Sequence, residues 1–259
     1  MRHKLFTFIL TAMTITSGAN AQQLNLSKMR TIEHQLDDVM EIMDTTFLKT
    51  KLKEVELAYE QNPSEINKAR KGIIYHETAL NLGFLSKTMY KGYAKKSYDI
   101  LTEMAQNKQI TQELMPFVSS YQASAIALVG AETKKLGLLG DAFKLFEEAV
   151  NNYAEISYLP EFLRGSVAEN LPWMFYKKRR FAKLDMQSII DKQAKNQAYA
   201  NNKIMSFVYW AWANQHQGKK DRKLAISYLD KAIALDPAYI GGRKRAEDLK
   251  GKMNKIQTK

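Results

Sequence analysis

Few residues in this 259-residue chain have the types and spacing that chemistry requires. His76 and Glu77 open like the helical His-Glu-x-x-His set that holds zinc. That set needs a second histidine four positions on to share the ion, and the position is Leu80. With His3 assigned to an N-terminal leader, only His34 and His216 remain, and the chain has no cysteine. Thiol nucleophiles, disulfides and thiolate metal sites are thereby excluded together. The sequence contains no Gly-x-Ser-x-Gly elbow and no Gly-x-x-x-x-Gly-Lys phosphate loop. The expectation is a non-enzymatic protein with no cofactor and no metal.

Polar groups set among apolar ones suggest recognition instead. Glu77 shares a helical stripe with Ile73, Leu80 and Phe84, so its carboxylate is expected on a packing face, neutralised by a lysine or arginine. Glu132 and Glu169 occupy comparable places late in their own helices. Arg164, Glu169 and Asn170, in Leu-Arg-Gly-Ser-Val-Ala-Glu-Asn-Leu-Pro-Trp, gather beside Trp173. They form either a helix-end network around Pro172 or the wall of a pocket. The segment Phe207 to Trp212 carries aromatics on two faces. One face is expected in the core. The other suits a groove, where tryptophan with Asn214 and Gln217 fits a peptide or a sugar ring.

The elements that would position these residues are helical. Only five prolines and twelve glycines interrupt a chain rich in good helix formers, and no stretch sustains two-residue alternation. Ser64 caps a helix over 65–82 that Gly83 stops, and Pro63 closes the one before. Further first helices are expected over 117–135, 160–171 and 202–217, and a charged last helix from Gly242 to about Lys255. Residues 29–62 form one or two more, with Ile32, Leu36, Val39 and Met40 at helical spacing.

Residues 1–21 have the form of an export signal: Arg2 and Lys4, an apolar run from Leu5 to Ile15, then Ala19-Asn20-Ala21 before Gln22. Cleavage there leaves one domain of residues 22–259 in the periplasm, and without a cysteine the lipoprotein route is closed. Loss of Arg2 and Lys4 takes the net charge from +12 to +10. The basic groups concentrate at Lys87, Lys91, Lys95 and Lys96, at Lys177 to Arg180, at Lys219 to Lys223, and from Arg243 to Lys259. They are either solvated helix faces or attractors of anionic partners; export argues against nucleic acid.

A small-large-small pattern recurs in the second helix of each pair: Ala94, Tyr98 and Leu101; Ala142, Phe146 and Ala149; Ala182, Met186 and Ile189; Ala225, Leu229 and Ala232. The leading alanines are 48, 40 and 43 residues apart. The last set, in Leu-Ala-Ile-Ser-Tyr-Leu-Asp-Lys-Ala-Ile-Ala-Leu-Asp-Pro ending at Pro237, resembles the second half of a tetratricopeptide repeat, a helix-turn-helix unit of about 34 residues. The resemblance covers Ser206 to Ala238 well and Ala123 to Ala154 moderately. It departs at Ala154, where the family has a closing proline, and at Ile126, where it has an aromatic.

The resemblance implies an all-α, right-handed α-solenoid: N-terminal helices over 22–62, about four helix pairs over 63–241, and a basic capping helix and tail over 242–259. Four helices in a non-repetitive bundle are the alternative. It also implies that Tyr209, Trp212 and Ala213 pack one helix on its partner, leaving Phe207, Trp210, Asn214 and Gln217 on the inner face that meets ligand. In the repeat around Ala142 the inner face includes Lys134 and Lys135. A protein or peptide partner, acidic in character, is the leading expectation. The alternative is a small molecule in a single pocket lined by Glu77, Arg164, Trp173 and Asn214. Weak contact of the basic C-terminal segment with anionic membrane surfaces is a third.

Overall fold

The computed structural model describes residues 24–255 except 84, 87 and 236–239. Residues 1–21, expected above to be an export signal, and Phe84, Lys87, Pro237, Ala238 and the last four residues lie outside that set. The described residues are all-α, with eleven α-helices and no strand. In chain order these are α1 (Leu26–Leu36), α2 (Thr45–Gln61), α3 (Glu65–Asn81), α4 (Tyr93–Gln106), α5 (Met115–Thr133), α6 (Gly137–Tyr153), α7 (Leu159–Glu169), α8 (Tyr176–Lys195), α9 (Asn202–Gln215), α10 (Arg222–Leu235) and α11 (Ile240–Lys255).

Local chemistry explains most of the boundaries. Ser64 accepts a hydrogen bond from the Asn67 amide at the start of α3, and Asn201 one from the Ile204 amide at the start of α9. Proline occupies the first turn of α5 and of α7, where its missing N–H costs nothing. The region 29–62 differs from a simple helical reading. Helical spacing lasts only to Leu36; a short 3₁₀ turn (Asp37–Val39) and a non-helical stretch follow. Asp44 then restarts the chain as α2 by accepting from the Thr46 and Phe47 amides. Val39 and Met40 are buried without being on an α-helix.

Short connections make successive helices antiparallel, and each packs on its chain neighbour from α2 onward, except where α5 also meets α7. α3, α5 and α7 lie side by side; Phe162 of α7 meets Phe207 of α9 edge-on at 5.1 Å, and α9 meets α11. That row forms one wall. α4, α6, α8 and α10 pack on the helices of that row, and Phe143 of α6 meets Phe181 of α8 at 5.8 Å. The small-large-small residues of these four helices are all buried except Tyr98, which is half-buried. Tyr209 and Trp212 pack on Tyr228 of α10, at 4.9 and 4.8 Å between ring centroids. One hydrophobic cluster runs from Met29 to Met253.

Small residues let paired helices approach. A Cβ built on Gly72 of α3 would lie 2.8 Å from Leu101 Cδ2 of α4, and Ser97 Oγ donates to the Gly72 carbonyl at 2.7 Å. Gly140 has nothing within 4 Å of the same built atom. Gly72→Val is therefore expected to destabilise by about 1–3 kcal/mol through overpacking, and Gly140→Ala to be neutral or mildly stabilising. Urea unfolding of both variants checks this; equal midpoints would remove the close-approach argument.

Candidate functional site

The strap comprising α1 and residues 37–44 crosses the wall made by α3, α5, α7 and α9. Its backbone there has no helical or sheet ladder, so side chains must satisfy its buried polar groups. The Ile42 amide donates to Glu77 Oε2 at 3.3 Å, and Asn81 Nδ2 donates to the Ile42 carbonyl at 3.2 Å. Asn81 also donates to Glu77 Oε2 at 3.3 Å, so the two residues together hold both backbone polar groups of Ile42. Lys203, in the first turn of α9, donates to the Asp37 and Met40 carbonyls at 3.2 and 3.0 Å. Arg70 of α3 holds the Gln35 carbonyl and forms a fork on Asp38, and Arg30 reaches the Tyr199 carbonyl at 3.2 Å. Two arginines and a lysine thus join the strap to both ends of the row.

Beneath the strap, Glu77 is fully buried, but its hydrogen-bond partners include no lysine or arginine. The ion pair expected from sequence is replaced by a peptide N–H, an amide and His76, whose Nδ1 lies 3.3 Å from Glu77 Oε1. His76 Nε2 is 2.7 Å from Ser124 Oγ of α5. Serine, histidine and glutamate are thus linked in the order of a hydrolytic relay. Two features oppose nucleophilic chemistry there. All three side chains are buried, and Ser124 lies inside α5, where neighbouring amides are committed to helical bonds and none is left to stabilise an oxyanion. The chain of bonds fixes α3 to α5.

Glu41 lies opposite, on the strap, in the left-handed backbone region at φ 54°. A non-glycine residue there costs about 1 kcal/mol. The residue as a whole keeps some solvent exposure, but its carboxyl is withdrawn from water next to Glu77. Burial, with the Glu77 charge second, raises its pKa from 4.5 to about 8, against the opposing pull of Lys203 and Arg245. Burial first, then the charges of Glu77 and Glu41, likewise pushes the Tyr121 hydroxyl well above its ordinary range.

Further along the wall lie the residues singled out on α9. Phe207 is buried between Phe162 and Trp210, so it serves the core. Trp210 is half-buried, with the Arg245 guanidinium of α11 5.0 Å from its ring centroid. Asn214 Nδ2 donates to Glu169 Oε1 at 2.9 Å, and Gln217 Nε2 to the Asn214 carbonyl at 2.8 Å. Asn214 and Glu169 border a cleft of about 460 Å³ with Arg179, Arg180, Lys183 and Gln215. Burial raises the Glu169 pKa, and its bond from Asn214 opposes the rise.

The four residues expected around one small-molecule pocket go to four different places. Glu77 lies under the strap and Asn214 borders the cleft. Arg164 grips Asp185 of α8 bidentately, at 2.9 and 2.7 Å, with Phe181 beneath it at 4.2 Å. Trp173 stands exposed on a 3₁₀ turn. Lys134 and Lys135 are exposed in the α5–α6 turn, Lys134 in the left-handed region at φ 58°. Sequence reasoning missed Glu41, Asn81, Lys203 and Asp185. Asn81 alone carried a signal, one helical turn beyond Glu77.

Glu41 gives the strap a pH dependence. Its folded pKa exceeds its unfolded one, so its contribution to stability is complete below 4.5 and is lost as pH rises through 8. In Glu41→Gln, the decline in melting temperature from pH 5 to pH 8.5 should be shallower than in the wild type, with the variant relatively more stable at the alkaline end. Thermal melts across that range check this; parallel profiles would refute it. Comparison with protein-family models, with curated proteins and with solved structures gives no match for this chain.

Proposed function

We propose that this is an exported, non-catalytic, tetratricopeptide-like scaffold that binds a protein or peptide along the wall of α3, α5, α7, α9 and α11. In this reading the two rows of helices are the inner and outer layers of a right-handed α-solenoid. Residues 1–21 direct the chain to the periplasm. The observation that carries the proposal is the grip of Glu77 and Asn81 on the backbone N–H and C=O of Ile42. The wall aims side-chain donors and acceptors at the backbone of a non-helical segment, which is what a peptide-binding helical surface must do.

The strap covers the wall from α3 to the first turn of α9. The end nearest α11 offers Trp210 with Arg245, Asn214 and Gln217, and continues into the cleft bordered by Arg179, Arg180 and Lys183. A rim of three such cations suits an acidic segment, with apolar contact on the Trp210 ring. Because the surface is held by packed helices and by the Asn214–Glu169 bond, little order is lost on binding. The rim charges would accelerate association and make it sensitive to salt.

Affinity capture from the native cell envelope, followed by identification of what co-purifies, is the test. Trp210→Ala and Arg179→Glu are each expected to reduce recovery of the same partner at least tenfold, equivalent to about 1.4 kcal/mol or more of binding free energy. Both should keep circular dichroism close to that of the wild type. Equal recovery by both variants would place the partner elsewhere on the molecule.

A further inference from the structure

The turns at one edge of the molecule share a composition that the helices do not. Antiparallel packing puts the α3–α4, α5–α6, α7–α8 and α9–α10 connections at one edge, and direct contacts tie them together. The Gly92 amide donates to Glu132 at the end of α5 at 2.7 Å. Leu138, Leu171 and Phe175 pack on one cluster. Lys178 Nζ sits 4.5 Å from the Phe143 ring centroid, and the Glu169–Asn214 bond joins the ends of α7 and α9.

Large apolar side chains point outward along this edge. Leu85 is 63% exposed and Met89 69% in the first turn, Leu136 63% in the second, and Trp173 79%, Met174 58% and Tyr176 67% in the third. The sequence stretches 82–92, 133–140, 170–184 and 216–220, which take in the start of α6 and of α8, hold eleven lysines and arginines, and the acids Glu132, Asp141, Glu169, Asp185 and Asp221 stand just outside them. The opposite edge is different. Its connections and adjoining helix ends mix Lys108, Lys195 and Lys203 with Glu65, Glu113, Glu155 and Glu161, and they bond to one another, as in Thr111 to Glu65 at 3.2 Å and Tyr199 to the Ala154 carbonyl at 2.6 Å.

We propose that the Leu85–Leu136–Trp173 edge docks on an anionic phospholipid membrane surface. The apolar side chains stand on separate turn tips and do not line one groove, which suits a flat, deformable surface better than a folded partner. Trp173 and Tyr176 are amphipathic rings of the kind that settle at the headgroup level, and Met174 and Leu136 reach the acyl boundary beside them. Lys134, Lys135, Lys177, Arg180 and Lys183 are exposed around those tips and match anionic headgroups. Lys178 and Arg179 also fix the turn that carries Trp173, since Arg179 bonds the Leu171 carbonyl and Lys178 covers Phe143. Arg180 and Lys183 belong both to this edge and to the rim of the cleft, so docking leaves available the part of the partner surface formed by Trp210 and Arg245.

Vesicle flotation of the mature chain tests the proposal, with vesicles of phosphatidylcholine alone and of phosphatidylcholine mixed with phosphatidylglycerol. The chain is expected to float only with the phosphatidylglycerol vesicles, and less of it as salt rises. A Trp173→Ser, Met174→Ser variant and a Lys177→Glu, Arg180→Glu variant should each lose most of the floated fraction. Both should keep the wild-type melting temperature, because the apolar pair touches little and the charge pair is exposed. Equal flotation with neutral vesicles, none with anionic ones, or undiminished flotation of either variant overturns the proposal. Loss in the charge variant alone means electrostatic contact without insertion, and also overturns it.

Discussion

A peptide segment laid over packed helices carries backbone amides and carbonyls that have no ladder to join. Each buried one that goes unmatched costs on the order of 1–3 kcal/mol. Residues 37–44 are such a segment, and the polar interior follows from them. Glu77 is buried because the Ile42 amide needs an acceptor, and Asn81 sits one turn on because the Ile42 carbonyl needs a donor. The His76–Ser124 pair then occupies the remaining carboxylate oxygen and binds α3 to α5. Lys203 supplies the far end.

The wall's chemistry is graded along its length. Near α3 the carboxylates of Glu41 and Glu77 face each other, and burial keeps a proton on Glu41 at neutral pH. Near α11 the cations Arg179, Arg180, Lys183 and Arg245 gather around Glu169 and Trp210. Glu41 belongs to the strap, so the strap itself brings the two carboxyl groups together, while the cationic end stays open to solvent. A wall with one end filled from within and the other open fits selective recognition better than broad adhesion.

Helix positions were legible in the sequence because caps and periodicity are local. Ser64, Pro160 and the alanine-led patterns mark their helices by chemistry confined to a few neighbours, and the patterned residues are nearly all buried. The strap was not legible. Ile32, Leu36, Val39 and Met40 keep helical spacing, and only the three-dimensional need to cross the wall breaks the helix after Leu36. The partners of Glu77 and Arg164 were hidden for the same reason. Ile42 and Asp185 lie 35 and 21 residues away, and nothing local announces them. Phe207 shows the limit of a face assignment, since its ring turns onto Phe162 where the repeat pattern would leave it to ligand.

Arrays of helical hairpins usually fold as neighbours of neighbours, so an end unit can fray while the middle holds. The strap alters that expectation. Arg30 bonds a carbonyl 169 positions away, and Lys203 bonds carbonyls 163 and 166 positions away. Such contacts cannot form until residues near 200 are in place, which raises the contact order and slows the final closure. Once made, they link the first helix and the strap to the start of α9, in the last helix pair. Unzipping from either terminus must then break the clasp between them, so the chain should open in one cooperative step.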